Sequence, residues 1–187
     1  MPVTTLDPKS ALIIIDLQQG IAGYPLLTPI GTIIERANAL SDAFRRHDLP
    51  VVQVVVDSVN FGRTDNSRPH SPQPAEAMNL IPELHRADTD HHVVKTTVGA
   101  FTSTNLEAIL KSEGVTQVVV IGVATSFGVE STVRHARELG FNVTVATDAV
   151  TDVSEENHQR ALKGIFPRMA ETGSAEDIVA LLDSGHA

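Results

Sequence analysis

Cysteine is absent from the 187 residues. That excludes disulfides, thiolate nucleophiles and zinc–sulfur centres together. Aromatic side chains are scarce, at 4%, with no tryptophan, so the core has to be assembled from Val, Ile, Leu and Ala. Positive charge is also in short supply: 14 Lys and Arg stand against 23 Asp and Glu, a formal net charge of -9. A chain of that sign repels polyanions, so nucleic acid and anionic membrane surfaces are not expected partners. An anionic small substrate is still compatible, because a few buried cations set the local field of a pocket. No apolar run approaches the roughly 20 residues needed to span a bilayer. Met1 to Ser10 is short and polar, without the basic and apolar blocks of a secretory signal, so the cytoplasm is the expected location.

What is present is an ordinary globular balance, 42% hydrophobic and 20% charged, in a length suited to one domain covering residues 1–187. Short β-branched runs alternate with helical patterns. Ala11–Asp16 (ALIIID) is too short for a helix and ends in a carboxylate, and Pro50–Asp57 (PVVQVVVD) repeats the design. His92–Lys95 ends in a cation, and Thr116–Gly122 and Asn142–Thr147 complete the set. Continuous apolar runs of this kind suit strands buried on both faces of a parallel sheet.

Between them, Ile33, Ala37, Leu40 and Phe44 share one helical face, and so do Val129, Val133, Ala136 and Leu139 ahead of Gly140. Thr104 and Glu107 have the spacing of a capping box. Ser154 and Ser174 are expected to cap two further helices. Strand–helix alternation throughout predicts a doubly wound α/β fold: a mostly parallel sheet of five to six strands with helices on both faces. Ser58–Pro74 has no period and is rich in Asn, Ser, Pro, Gly and Arg. It follows a strand end, where open α/β sheets bind ligands.

Asp16, Asp57 and Lys95 each end an apolar strand, which places them at the rim where a ligand crevice forms. Asp16 lies in IIIDLQQGI, Lys95 in VVKTTVGAF, and a third block reads IGVATSFGVESTVRHARELGFNVTVATDAVTD. In this order, over about residues 10 to 170, the blocks resemble those of the isochorismatase-like (cysteine hydrolase) superfamily, which includes nicotinamidases, carbamoylsarcosine amidases and isochorismatases.

The resemblance implies a three-layer Rossmann-like fold with Asp16 and Lys95 as catalytic residues. It implies substrate contacts from Gln18 and Phe101, and a cis peptide at Val123–Ala124. That turn would direct the backbone amides of Ala124 and Gly128 at a developing oxyanion. The sequence departs from the pattern at Gly128, where the amidase members carry the nucleophilic cysteine, so a covalent thioester route is closed. Thr125 and Ser126 are hydroxyls on the same turn, expected to cap the following helix. It departs again after the second strand. Where the nicotinamidase branch has Asp-x-His for a divalent ion, this chain reads Asp57-Ser58-Val59-Asn60. His70 is isolated, and the adjacent His91 and His92 point to opposite faces of an extended segment. No metal and no other cofactor is expected.

Isochorismatases resemble this chain in lacking a cysteine at that place. Their reaction, hydrolysis of a vinyl ether to pyruvate and a dihydrodiol, needs a proton donor and no nucleophile. In that reading Asp16 is the general acid and Lys95 orients the substrate's carboxylate. Arg63 or Arg68 supplies a second cation, and Tyr24, Phe61 and Phe127 wall the pocket. Two alternatives remain open: a non-covalent amide or ester hydrolase with Asp16 as base, and a non-catalytic small-ligand-binding protein. The resemblance also implies a homodimer or higher homo-oligomer.

Overall fold

Apolar residues on both sides of the central strands force a layer of helices onto each face of the sheet. The computed structural model describes residues 3–59, 62–65 and 74–185. It shows six strands, β1 (Ser10–Ile15), β2 (Val51–Val56), β3 (His91–Lys95), β4 (Gln117–Val123), β5 (Asn142–Thr151) and β6 (Glu171–Gly173). They form one sheet in the order β3-β2-β1-β4-β5-β6, and every neighbouring pair is parallel. The main helices are α1 (Gln19–Ala22), α2 (Ile30–Arg46), α3 (Leu106–Ser112), α4 (Glu130–Glu138), α5 (Glu155–Arg160) and α6 (Ala175–Asp183).

The alternation along β1 shows how one strand serves two cores. Leu12 and Ile14 pack with α2 and α6 through Ile33, Phe44, Ile178 and Leu182. Ala11, Ile13 and Ile15 pack on the other face, with α3 and α4 through Leu106, Leu110, Val133 and Ala136. All six residues of β1 are buried, which is why its sequence reads as an unbroken apolar run rather than an alternating one. Among the described residues no helix is long and apolar enough to cross a membrane.

The sheet grows from β1 to β2 and β3 in one direction and from β4 to β5 and β6 in the other. The order therefore reverses between β1 and β4, and an open α/β sheet has its ligand crevice beyond the carboxyl ends of the strands at such a point. The register sets Ile15 beside Gly122. Gly122 has a φ of +117°, and a Cβ there would lie 2.0 Å from the carbonyl oxygen of Ile15. Only glycine lets β4 approach β1 this closely at the crevice.

Several local expectations change. Six strands lie within the five to six expected; the one with no run located in the sequence is β6, three residues with no β-branched run and so no strand signal. β5 runs on to Thr151, past a register shift against β4. The Thr104–Glu107 box does not form: Asn105 occupies the N-cap of α3. The Thr104 hydroxyl instead accepts from the Leu106 amide, and Glu107 pairs with Lys111 one turn on. Ser154 and Ser174 do cap α5 and α6, and Gly140 follows α4 with φ +91°.

A methyl group at 122 has nowhere to go, whereas one at 140 meets nothing within 4 Å. Gly122→Ala is therefore expected to lose more than about 3 kcal/mol or fail to fold. Gly140→Ala is expected to lose only about 1 kcal/mol from its backbone conformation. Urea denaturation of the two variants reads the difference.

Candidate active site

β1 ends at Ile15, and Asp16 leaves the strand with a φ of +55°. Simple alternation would point it to the α2 face with Leu12 and Ile14. The left-handed turn, which Asp tolerates better than most residues, takes it out of the pleat. Its carboxylate Oδ2 accepts a hydrogen bond of 2.9 Å from Lys95 Nζ at the end of β3. Both residues are buried, Asp16 to 6% and Lys95 to 2% exposure.

The surroundings of each charge differ. Lys95 Nζ also donates to the carbonyl oxygens of Val98 at 2.9 Å and Thr97 at 3.4 Å. An ammonium has three N–H donors, so all three have partners inside the protein. Asp16 Oδ1, by contrast, is buried and has no hydrogen-bond partner among the described residues. Burial pushes the Asp16 carboxyl up to about 6, against the opposing charge and hydrogen bond of Lys95. The folded chain thus holds the Asp16 proton more tightly than the unfolded chain. This carboxyl favours folding at low pH, and that contribution is lost as pH rises through about 6.

The second half of the site comes from β4. A cis peptide joins Val123 to Ala124, and the chain then makes one wide turn, Thr125–Val129, before α4. The amides of Phe127 and Val129 both donate to the Ala124 carbonyl. The Gly128 carbonyl accepts from the Thr132 hydroxyl at 2.7 Å, and Thr125 Oγ1 lies 2.8 Å from His158 Nδ1. Gly128 is thereby held against Asp16: a Cβ built at 128 would lie 3.3 Å from Asp16 Oδ2 and 3.2 Å from Ile15 Cγ2. Any side chain here would project beside the carboxylate, and glycine leaves that space open.

Residues 10–177 match the isochorismatase domain family. The chain belongs to the isochorismatase family. By that membership it is an isochorismatase-family hydrolase. It is 36% identical to the uncharacterized isochorismatase family protein YecD of Escherichia coli O157:H7, over 92% of this chain and 96% of that protein. It is 31% identical to nicotinamidase 3 of Arabidopsis thaliana, over 85% and 83% of the two chains. Among solved structures, an isochorismatase family protein from Burkholderia thailandensis superposes with a TM-score of 0.91 at 37% identity, covering 96% of this chain and 98% of that one.

Within this isochorismatase-family fold, the other residues singled out from the sequence are dispersed. Gln18 is buried and its side chain is spent on backbone: it donates to the carbonyls of Val56 and Ala77 and accepts from the Val56 amide. It braces the ends of β1 and β2. Phe101 is a core residue, its ring 5.3 Å from that of His135 and 6.2 Å from that of Phe141. Tyr24 and Phe127 are each 52% exposed, and Arg63 and Asp57 are exposed. Phe61, Arg68 and His70 lie outside the described residues.

Two features were not anticipated. Lys95 was expected to orient a substrate carboxylate, but its donors are already directed at Asp16 and two carbonyls. Ser126 was expected to cap the next helix, but its hydroxyl and amide both donate to Asp152. His158, on the apolar stripe of its helix, is by contrast the satisfied core histidine its sequence position suggests, partnered by Thr125. The divalent-metal pattern of the nicotinamidase branch does not fit either, since Val59 offers no donor atom where a histidine would be needed. Among the described residues no three His, Asp or Glu side chains are grouped.

Removing one member of a buried ion pair leaves the other charge without compensation, at a cost of about 3–5 kcal/mol. Lys95→Met keeps the length of the side chain and removes its charge. It is expected to lose stability of that order at pH 8, where Asp16 is ionised, and distinctly less at pH 5, where Asp16 is neutral. Urea melts at the two pH values check both size and sign.

Proposed function

We propose that this protein is a cysteine-independent hydrolase of the isochorismatase type, acting on a small vinyl ether with Asp16 as general acid. The observation that supports it most is the state of Asp16: a buried carboxyl raised to about 6, with Oδ2 bound to Lys95 and Oδ1 without a partner among the described residues. Such a group keeps roughly one molecule in ten protonated at neutral pH. A donor with a pKa near the working pH is effective in general acid catalysis.

In the proposed sequence, the Asp16 carboxyl gives its proton to the terminal carbon of the enol ether, and the carbon bearing the ether oxygen becomes an oxocarbenium ion. Lys95 favours this step by stabilising the carboxylate that forms. Water adds to the cationic carbon and returns a proton to Asp16. The hemiketal then collapses to a ketone, pyruvate in the isochorismatase reaction, and an alcohol. The substrate never becomes bonded to the protein, which suits a site with glycine at 128. The amides of Ala124 and Gly128, the pair the family resemblance implies, are the proposed donors to a substrate oxygen; those of Ser126, Phe127 and Val129 are committed within the fold. Substrate carboxylates then require cations other than Lys95, and Arg63 on the 58–74 segment is the proposed one.

A second reading is favoured by the same value of about 6. Most Asp16 is ionised above it, so Asp16 would act as base, activating water against an amide or ester carbonyl held by the Ala124 and Gly128 amides. The two readings differ in sign. As general acid, Asp16 makes kcat/KM fall about tenfold per pH unit above about 6; as base, it makes kcat/KM rise up to about 6 and level off.

Pyruvate release from isochorismate, coupled to lactate dehydrogenase, tests the first reading. Asp16→Asn is expected to reduce kcat by at least about 100-fold, the usual scale of a lost proton donor. Turnover of amides or esters but not of vinyl ethers, with a rate rising with pH, selects the second. Binding of small acids without turnover of either class would leave a ligand-binding protein.

A further inference from the structure

Asp152, the residue after β5, uses one carboxylate oxygen in a local Asx turn and the other to hold a residue 26 positions away. It is 3% exposed. Its Oδ2 accepts from the Ser126 amide at 2.8 Å and the Ser126 hydroxyl at 2.7 Å. Its Oδ1 accepts from the amides of Val153 at 2.8 Å and Ser154 at 3.2 Å. Its own carbonyl accepts from the Leu27 amide at 2.8 Å, and the neighbouring Thr151 hydroxyl accepts from the Thr28 amide at 3.0 Å. One residue thus joins the end of β5, the approach to α5, the 27–28 loop and the turn after β4.

Helix capping does not explain this carboxylate, because Ser154 already caps α5 through the Asn157 amide. Removing a carboxylate from water is costly unless its oxygens are satisfied. Here four neutral donors satisfy them, and two of the four belong to Ser126. The strand register makes the connection short. Val123 lies beside Thr151, so Ala124 and Asp152 emerge from adjacent strands together. Ser126 sits two residues before Gly128, whose Cβ position is 3.3 Å from Asp16 Oδ2.

We propose that Asp152 is a positioning residue: it pins Ser126 and so sets the Thr125–Val129 turn, and with it the Ala124 and Gly128 amides, relative to Asp16. It touches no substrate. The kinetic part of this inference rests on the role proposed above for those amides; the structural part does not.

The test therefore has a readout without substrate. In 15N-labelled protein, Asp152→Asn is expected to shift the Ala124 and Gly128 amide resonances while leaving those of the α2 and α6 face in place. Ser126→Ala, which removes only the hydroxyl donor, is expected to shift the same two resonances in the same direction by less. With a substrate in hand, Asp152→Asn is expected to lower kcat tenfold or more and change KM less than threefold. The midpoint of the pH profile should stay that of the unmodified protein, because Asp16 and Lys95 are untouched. Folded Asp152→Asn protein with unshifted Ala124 and Gly128 amides overturns the proposal, even if no substrate is ever found. If Asp152→Asn does not fold, Ser126→Ala decides: an unshifted Gly128 amide overturns it. Shifted amides with an unchanged kcat would retain the pinning and overturn its catalytic importance.

Discussion

One buried ion pair organises the carboxyl edge of this sheet. Asp16 ends β1 and Lys95 ends β3, and β2 lies between them. Neighbouring strands are about 4.8 Å apart, so the two backbones are separated by roughly twice that distance. A short cation on β3 would not reach. The four-carbon stem of lysine spans the gap and delivers a compact charge to Asp16 Oδ2, while the carbonyls of Val98 and Thr97 hold the ammonium. The left-handed backbone at Asp16 turns the carboxylate to meet it. Each feature is costly alone: a non-glycine residue at positive φ, a buried ammonium and a buried carboxyl oxygen with no partner among the described residues. Such costs are retained where structure serves chemistry rather than stability.

The pair also divides the labour between the two carboxyl oxygens. Oδ2 belongs to the protein and Oδ1 is left for something else. Burial outweighs the lysine, so the group titrates near neutrality instead of remaining a permanent anion. The turn after β4 approaches the same carboxylate with a glycine, brought within reach because Gly122 lets β4 lie against Ile15. A carboxyl that can carry a proton beside a turn with no side chain is consistent with hydrolysis that passes through no covalent intermediate. The family relationship accommodates more than one substrate chemistry, and the pH behaviour of Asp16 separates them.

The sheet and its charged rim were legible in the sequence because they depend on local pattern. Buried parallel strands show as unbroken β-branched runs, and a charge ending such a run marks the crevice. That logic marked Asp16, Asp57 and Lys95 alike; the family resemblance singled out Asp16 and Lys95 and added the cis bond at Val123–Ala124, while Asp57 is exposed. Features that depend on three-dimensional competition for hydrogen bonds were not legible. Thr104 and Glu107 have the spacing of a capping box, but a nearer amide and a lysine one turn on take their side chains. Ser126 looked like a helix cap and is bound instead to Asp152, 26 residues away. The partners of Lys95 Nζ, Asp16 and the carbonyls of Val98 and Thr97, were not legible either, because they depend on the fold. β6 was invisible because three residues with no apolar run carry no strand period.

The most direct test is the titration of the Asp16 carboxyl itself, followed by 13C NMR of side-chain-labelled protein and assigned with Asp16→Asn. A midpoint near 6, moving higher in Lys95→Met, is the predicted result. A midpoint at or below the ordinary aspartate value of 3.8 would mean that the ion pair outweighs burial. Asp16 would then be a fixed anion, and the account of it as a proton donor would be contradicted.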